Sequence, residues 1–600
     1  MNILGIIAFG KNPAACLLRD GKLIAFAAEE RFTRLKGSHD MFPEKAVTYC
    51  LAEAGIPLEG VDRIGFAWNA KKYPWTMFRN FSWNFLKYKP RERKAFHAGG
   101  DSSAMYTAVG ELLSYAPSGL RGKIYEGLRA AGLSGRFPPV EFVSHHMAHA
   151  YSTYFCSKFE RAGILTLDGS GEDICSQLAL AEGDQIRVID SAPIPHSLGW
   201  FYAAITQYLG FIPYRDEGKL MGLAALGEER RGSNKWSEPL SKIIKVQPGS
   251  YEVDPIYTKF GGHFYANRYT DALVDLLTKV DSDAVPVSYG DKVEIDGRMQ
   301  SKYLLPLYVD IAWAAQELLE RAAVSLAKKL VRDYGVKNLC VAGGVGLNCK
   351  MNGEILRQSG AENIFVQPAS SDDGSALGAA MYVAHQLGEN VRAPLTNVYY
   401  GPGFDNDEIR NALDNCKVSY RSSSNPAEDA AELLAQGKIV GWFQERMEFG
   451  ARALGARSIL ANPAIPEMKD KVNAEVKYRE SWRPFCPSMI ESASDEYLVD
   501  ANEASFMIVA YEGTPYLKQH LPAVVHVDDT VRPQLVSDRT SPRYHSLISE
   551  VGKRTGHPVV MNTSFTVRGE PIVCTPLEAV RCFYSNGLDA LMIGDFVLQK

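Results

Sequence analysis

At three places in this chain an apolar run that reads as a β-strand ends on a glycine turn. The first is Ile3–Ala8 before Gly10. The second is Gly163-Ile-Leu-Thr-Leu-Asp168, running straight into Gly169-Ser170-Gly171. The third is Asn338-Leu-Cys-Val-Ala before Gly343-Gly344. Turns of this kind leave backbone N–H groups pointing away from strand ends, where they can cradle a phosphate or carboxylate. The pattern commits the chain to an α/β fold with its chemistry at strand ends. Between the runs lie stretches of helical spacing, among them Pro43–Ala54 closed by Gly55, and the long Tyr308–Tyr334 with Ala312, Ala315, Leu318, Leu319, Ala322, Ala323 and Leu326 on one face.

The runs Ile3–Ala8, Ala14–Leu18 and Leu23–Ala28, with a hairpin turn at Asp20-Gly21, are followed by a helix and by a strand over Val61–Trp68. A meander, a helix and a strand are how one half of an actin-like (ribonuclease H-like) domain begins. A chain of 600 residues exceeds what one core organises, so at least two domains are expected. The linker-like Gly388-Glu-Asn-Val-Arg-Ala-Pro394 and Tyr400-Gly-Pro-Gly403 divide residues 1–390 from 400–600, and Glu408–Cys416 opens the second part with a helix. Residues 70–135 stand apart as an aromatic and basic stretch (Trp75, Phe78, Phe81, Trp83, Phe85, Lys87, Lys89, Arg91, Arg93, Lys94). It reads as an amphipathic excursion with a solvated basic face, or as a substrate-specific insertion. No internal repeat is evident.

Bulk properties exclude several classes. A formal net charge of −5 draws the protein neither to nucleic acid nor to an anionic membrane. No apolar run approaches the roughly 18 residues of a bilayer span. The ten cysteines form no C-x-x-C pair, which leaves neither a zinc knuckle nor a dithiol motif. They read as buried thiols in a reducing cytoplasm. The N-terminus reads as a first strand, not a signal peptide, so a cytoplasmic location is expected.

Two constellations carry chemistry. In Ser144-His145-His146-Met147-Ala148-His149, His145 and His149 are four apart and share a helical face, so one metal ion can sit between them. Asp168 and either Asp372 or Asp373 are the carboxylates placed to complete a shell that suits Fe2+, Zn2+, Mn2+ or Mg2+. Gly343-Gly-Val-Gly346-Leu-Asn348, beside these acidic turns, reads as an adenosine-phosphate cradle with Gly169, Ser170, Gly171, Gly343, Gly344 and Asn348 as contacts. In the second half, Arg452, Arg457, Lys477, Arg479, Arg483, Arg532 and Arg568 cluster with Gly, Trp and Pro, and Asn562-Thr-Ser564 adds amide and hydroxyl groups. A lone arginine is usually a surface ion pair; this density points to an anion site, where arginine forks and a lysine point charge hold phosphates.

The motifs Glu29-Glu30-Arg31-Phe32-Thr33-Arg34 with Lys36, His145-His-Met-Ala-His149, Glu217-Gly-Lys219-Leu-Met221-Gly, Gly343-Gly-Val-Gly-Leu-Asn348, Ser371-Asp-Asp-Gly374, Glu448-Phe-Gly-Ala-Arg452-Ala-Leu-Gly and Asn562-Thr-Ser-Phe565 occur in that order. Together they resemble the carbamoyltransferase family of nodulation-factor, cephamycin and tobramycin carbamoylation, over nearly the whole chain. The resemblance implies an actin-like (ASKHA) domain of the tRNA threonylcarbamoyl transferase type over 1–390 and a YrdC-like α/β domain over 400–600. It implies that carbamoyl phosphate and ATP, with Mg2+ as an accompanying ion, give carbamoyl-AMP at Arg452, Lys477, Arg483, Arg532, Asn562 and Ser564. His145, His149, Asp168 and Asp372 match the family's metal ligands, with Fe2+ the implied ion. Transfer to a hydroxyl of a small acceptor would follow there. One departure stands out: the family commonly has His-Asp-Ala-Ser or His-Asp-Ser-Ser after the first strand, and this chain has Lys11-Asn12-Pro13-Ala14. A lysine, with an ordinary pKa of about 10.4, cannot accept a proton near neutrality as imidazole does. Lys11 is therefore expected to grip an anionic acceptor or the adenylate, with Lys36 or His146 assisting the transfer. Competing readings are carbamoylation of an amine, a tRNA-modifying transferase, an actin-like sugar kinase and a nucleotide sensor. The chain could act alone or as a homodimer.

Overall fold

The computed structural model describes residues 1–72, 75, 76, 78, 114–259, 268–295, 297–501 and 504–600. Most of the 70–135 stretch therefore lies outside the described residues, including Phe81, Trp83 and the basic residues from Lys87 to Lys94. The fold is mixed α/β. The first sheet takes β1 (Asn2–Ile7), β2 (Ala14–Arg19), β3 (Lys22–Ala28), β4 (Arg63–Phe66) and β5 (Val140–Phe142) in the order β3-β2-β1-β4-β5. The β1–β2 and β2–β3 pairs are antiparallel, and β1–β4 and β4–β5 are parallel. The second sheet takes β6 (Arg161–Leu167), β7 (Ile174–Glu182), β8 (Gln185–Pro193), β9 (Asn338–Ala342) and β10 (Asn363–Val366) in the order β10-β9-β6-β7-β8. Its pairs have the same senses in the same succession.

The two sheets are thus one topology used twice, which corrects the reading that the chain holds no internal repeat. The repeat lies in strand order and direction, and its side chains have diverged. Short helix α1 (Glu30–Thr33) and α2 (Glu44–Ala54) follow β3, and α3 (His145–Tyr154) follows β5. In the second unit α4 (Glu217–Ala224) and the long α5 (Pro306–Tyr334) lie between β8 and β9, α6 (Cys349–Ser359) joins β9 to β10, and α7 (Asp372–Gln386) follows β10. Helices α3 and α7 are equivalent in the repeat and pack on each other. Their approach is close enough that a Cβ at Gly378 would lie 1.7 Å from the Ala148 carbonyl oxygen. The contact brings the N-termini of both helices to the end of β6.

A third, eight-stranded sheet fills the C-terminal part. Its strands are β11 (Arg421–Ser422), β12 (Val440–Phe443), β13 (Arg457–Ala461), β14 (Cys486–Ile490), β15 (Gln534–Val536), β16 (Val559–Ser564), β17 (Ala590–Ile593) and β18 (Phe596–Gln599). They run in the order β11-β18-β17-β12-β13-β16-β14-β15. Alternation along the strands separates two cores, Ile459, Met561 and Leu591 facing one way and Trp442, Val560 and Met592 the other.

The seam between this sheet and the first two units is tightly made. Arg34 donates to the Ile572 and Pro571 carbonyls at 2.7 Å each, and Arg31 donates to the Gly450 carbonyl at 2.9 Å. Arg446 donates to the Tyr400 carbonyl at 2.7 Å and to the Tyr49 hydroxyl at 2.9 Å. Phe26 meets Phe449 edge-on at 4.6 Å. Among the described residues no helix is long and apolar enough to cross a membrane. Because Gly378 has no room for a methyl group, Gly378→Ala should force α3 and α7 apart. We expect a loss of at least about 2 kcal/mol in urea unfolding, whereas the same change at exposed Gly232 should be close to neutral.

Candidate functional site

Helix α3 begins on Ser144, and its first N–H groups face Glu172. This carboxylate, wholly buried, accepts from the His145 N–H at 2.9 Å and the Asn69 N–H at 2.6 Å. An acid at a helix N-terminus satisfies free donors and the helix dipole together. So anchored, His145 and His149 project from one face of α3. Asp168 comes from the end of β6, and Asp372 is the first residue of α7. One ligand atom from each of the four lies within 4.8 Å of the others.

The second sphere is specific. His145 Nδ1 lies 3.3 Å from the Ala67 carbonyl, and donation there leaves the Nε2 lone pair facing the cluster. His145 Nε2 is 2.9 Å from Asp168 Oδ2 and 3.1 Å from His149 Nε2. Asp168 Oδ1 accepts from the Gly169 N–H at 2.8 Å and the Gly344 N–H at 3.0 Å, which aims Oδ2 inward. Burial opposes a proton on His145, but the Asp168 hydrogen bond and the charges of Asp372, Asp168 and Glu172 outweigh it and push its pKa up to about 9. Burial and the Asp168 charge raise Asp372 above the usual carboxylate range. A proton on His145 Nε2 and a metal ion would occupy the same position, and a set of two imidazoles and two carboxylates, all buried or half-buried, fits a divalent cation. Of the two acids left open in Ser371-Asp-Asp-Gly374, Asp372 joins the cluster. Asp373 is pushed up to about 7 by burial, with Glu30 and Asp372 adding to the rise.

The other expected residues fall as follows. His146 is wholly buried, with Nδ1 2.7 Å from Thr166 Oγ1 and Nε2 3.2 Å from the Ile174 carbonyl. Both ring nitrogens are engaged, and burial followed by the His145 charge lowers its pKa to about 3. In the glycine turns the Gly169 and Gly344 N–H groups hold Asp168, and the Gly171 N–H donates to the Ile174 carbonyl. Ser170 is half-buried between them. At Gly343, φ is +95° and a Cβ would lie 2.2 Å from the Leu167 carbonyl oxygen, so only glycine makes this turn. Asn348 caps α6 by accepting from the Met351 N–H at 3.0 Å and exchanges hydrogen bonds with Gln316. Lys11 lies with Nζ 5.3 Å from the centre of the Tyr214 ring. Tyr214 itself holds a left-handed φ of +64°, a strained conformation for a tyrosine.

The cations of the second half gather near the seam. Arg452 is lowered to about 10 by burial and by Arg532, and Arg479 to about 9 by burial and by Arg483. Burial lowers Arg483, opposed by Glu480 and Asp216. Lys477 is 7 % exposed and held well below the lysine range by burial, then by Arg479, Arg483 and Lys36. Its ammonium donates to the Ser564 carbonyl at 2.8 Å and to Ser564 Oγ at 3.3 Å. Arg532 donates to Cys486 Sγ at 3.0 and 3.2 Å. Asn562 braces the loop beneath Arg452 by donating to the Ala453 carbonyl at 3.2 Å. Clustered, mutually repelling cations of this kind suit an anion.

Lys36, from the first unit, stands with this group: Glu30, Arg483, Asp216 and Arg215 are its charged neighbours. Its side chain reaches solvent, yet lost solvation still lowers its pKa. The order of motifs along the chain gave no hint that Lys36 would stand beside Arg483 of the second half. The sequence reading also missed Glu172, Tyr214 and the loop-forming role of Glu448, whose Oε1 accepts from the Leu454 N–H at 2.8 Å and the Arg457 N–H at 3.2 Å. The one available signal was position, since Glu172 closes the same turn that begins at Asp168.

Comparison with known proteins bears on the whole chain. Residues 2–381 match the model of the carbamoyltransferase N-terminus and 431–600 that of the carbamoyltransferase C-terminus. An uncharacterized protein of Synechocystis sp. is 37 % identical, covering 100 % of this chain and 97 % of its own length. Nodulation protein NolNO of Sinorhizobium fredii is 33 % identical over 99 % of this chain and 79 % of its own. Nodulation protein NolO of Bradyrhizobium diazoefficiens is 35 % identical over 76 % of this chain and 79 % of its own. If the four-residue cluster is a metal centre, Asp168→Asn should reduce tightly held divalent metal from about one ion per chain to near zero after dialysis, measured by elemental analysis. Retention of the ion by that variant would exclude Asp168 as a ligand.

Proposed function

The chain belongs to the carbamoyltransferase family and is a transferase, and from that premise we propose a two-step transfer divided between its two parts. Carbamoyl phosphate and ATP react in the 400–600 part to give carbamoyl-AMP, and the carbamoyl group then passes to a hydroxyl of a small acceptor in the 1–390 part. The atoms balance in three steps. Water releases phosphate from carbamoyl phosphate, leaving carbamate. A carbamate oxygen attacks the α-phosphorus of ATP and displaces pyrophosphate. The acceptor oxygen attacks the carbamoyl carbon, AMP leaves, and the hydroxyl proton is released.

The observation that carries this reading is the crowd of cations at the seam. Burial, with neighbouring cations that include Arg532 adding to it, holds Arg452, Arg479, Arg483 and Lys477 below their ordinary pKa values, as a site for two polyanionic reactants requires. Ser564 and Asn562 hold Lys477 and the Arg452 loop in place. Lys36 contributes its charge from the other part, so the first site is completed across the seam. The duplicated topology supports an actin-like reading of 1–390; a YrdC-like reading of 400–600 rests on the family motifs.

In the 1–390 part, a divalent ion at His145, His149, Asp168 and Asp372, Fe2+ by resemblance to the family, would supply positive charge for the adenylate phosphate and the departing AMP. Glu172 and the Ala67 carbonyl orient the His145 ring. Gly169 and Gly344 orient Asp168. His146, bonded at both nitrogens, acts through position. Lys11 stands where the family keeps a histidine and grips an anion. That replacement also keeps an amine acceptor as the second reading. The two steps separate by mutation. With labelled carbamoyl phosphate and ATP, Arg483→Gln should lose the pyrophosphate burst by about 100-fold or more. His149→Ala should keep the burst and lose transfer of label to acceptor. Loss of the burst in both variants would refute the division of labour.

A further inference from the structure

Arg268 is 2 % exposed, and among the described residues no carboxylate pairs with it. Its Nη1 donates a long 3.4 Å hydrogen bond to the Lys259 carbonyl, and its buried Nε has no partner. The guanidinium lies 4.9 Å from the centre of the Tyr214 ring and 5.9 Å from that of Trp200, and it supports the Tyr214 phenol. Rings and a phenol are neutral, so among the described residues no ion pair balances this buried charge, and an unpaired buried cation is costly.

Its surroundings are those of the candidate metal centre. Trp200 presses on the turn after Asp168: a Cβ at Gly169 would lie 3.3 Å from Trp200 Nε1. The Tyr214 phenol feels the Asp168 charge. The Lys11 ammonium approaches the same Tyr214 ring at 5.3 Å. Glu217, whose Oε1 accepts from the Tyr214 N–H, offsets Lys11 in part, whereas among the described residues no carboxylate is ion-paired with Arg268.

The origin of Arg268 in the chain is also informative. It comes from the stretch between β8 and β9, far longer than the equivalent stretch between β3 and β4. The repeated units supply the four clustered ligands; Arg268 lies outside what is repeated. A residue added to a common frame suits recognition of this chain's own acceptor.

We propose that Arg268, with Lys11 on the same Tyr214 ring, forms an anion subsite beside the His145–Asp168 cluster that takes a phosphate or carboxylate group of the acceptor. An arginine fork matches either group. The acceptor is then an acidic hydroxyl compound, such as a sugar phosphate or a hydroxy acid. This rests on the transfer reading above.

Inorganic phosphate is the probe. In equilibrium dialysis with metal-loaded, full-length protein, the Arg452→Gln/Arg483→Gln background removes the phosphate site at the seam. About one phosphate per chain should remain. Adding Arg268→Gln should weaken it at least about tenfold, and Arg268→Lys should recover most of the binding, which separates lost charge from lost folding. The phosphate should stay bound when AMP is added. No remaining phosphate, or equal affinity in Arg268→Gln, overturns the subsite. One-for-one displacement by AMP overturns its assignment to the acceptor and gives it to the adenylate. If the unmodified protein releases no pyrophosphate from ATP and carbamoyl phosphate, the transfer reading fails, while the phosphate titration still judges the subsite.

Discussion

The carboxylate of Asp168 is the constraint on which the first two units turn. One oxygen takes N–H groups from Gly169 and Gly344, tying the ends of β6 and β9 together. The other faces His145 and His149 on α3. Asp372 arrives from the equivalent helix of the repeat, and the close approach of α7 to α3 at Gly378 decides where it arrives. Four chain segments thus converge through one side chain. Twofold repetition explains the economy: two like helices, entering from two like sheets, bring their N-termini to a common point. By strand register Ala8 is the match of Asp168; each of the two equivalent turns nevertheless carries a charged residue, Lys11 after β1 and Asp168 after β6. The two residues have opposite charge, so the repeat ends in a polarised site with clustered acids on one side and a cation on the other.

The seam couples this centre to the cations of the third sheet. Arg31 of α1 and Arg34 just after it bond across the seam, and Lys36, two residues beyond Arg34, joins the cation group. From the other side, Trp482 lies against α4, where a Cβ at Gly222 would come within 2.9 Å of its ring. Trp482 is the neighbour of Arg483. The first motif of the chain therefore serves as a brace whose last member stands among the cations, and the two candidate sites share a wall.

The sequence showed a good deal of this because some chemistry is local. His145 and His149 are four apart, and any helix puts them on one face. The strands before Asp168 and Gly343 are continuous apolar runs, as buried parallel strands must be. The repeat was hidden because strand order leaves no trace in residue identity once the side chains diverge. The turn at Gly343-Gly344 was read as a phosphate cradle for a sound reason, since free N–H groups do attract anions; in the fold one of those groups already holds Asp168. Arg268, and the place of Lys36 beside the cations of the second half, were out of reach for another reason. Their partners lie in distant segments, and a lone cation in a sequence is indistinguishable from a solvated one until the fold removes its solvent.

On the reading proposed above, the chain makes and consumes a carbamoyl-adenylate. Mass spectrometry of a rapidly quenched reaction tests it most directly, with the metal-loaded protein, ATP, isotopically labelled carbamoyl phosphate and no acceptor. A labelled carbamoyl-AMP ion should appear together with an equal amount of pyrophosphate. Consumption of ATP to ADP, or of carbamoyl phosphate alone with no adenylate, in protein shown to carry its metal would contradict it.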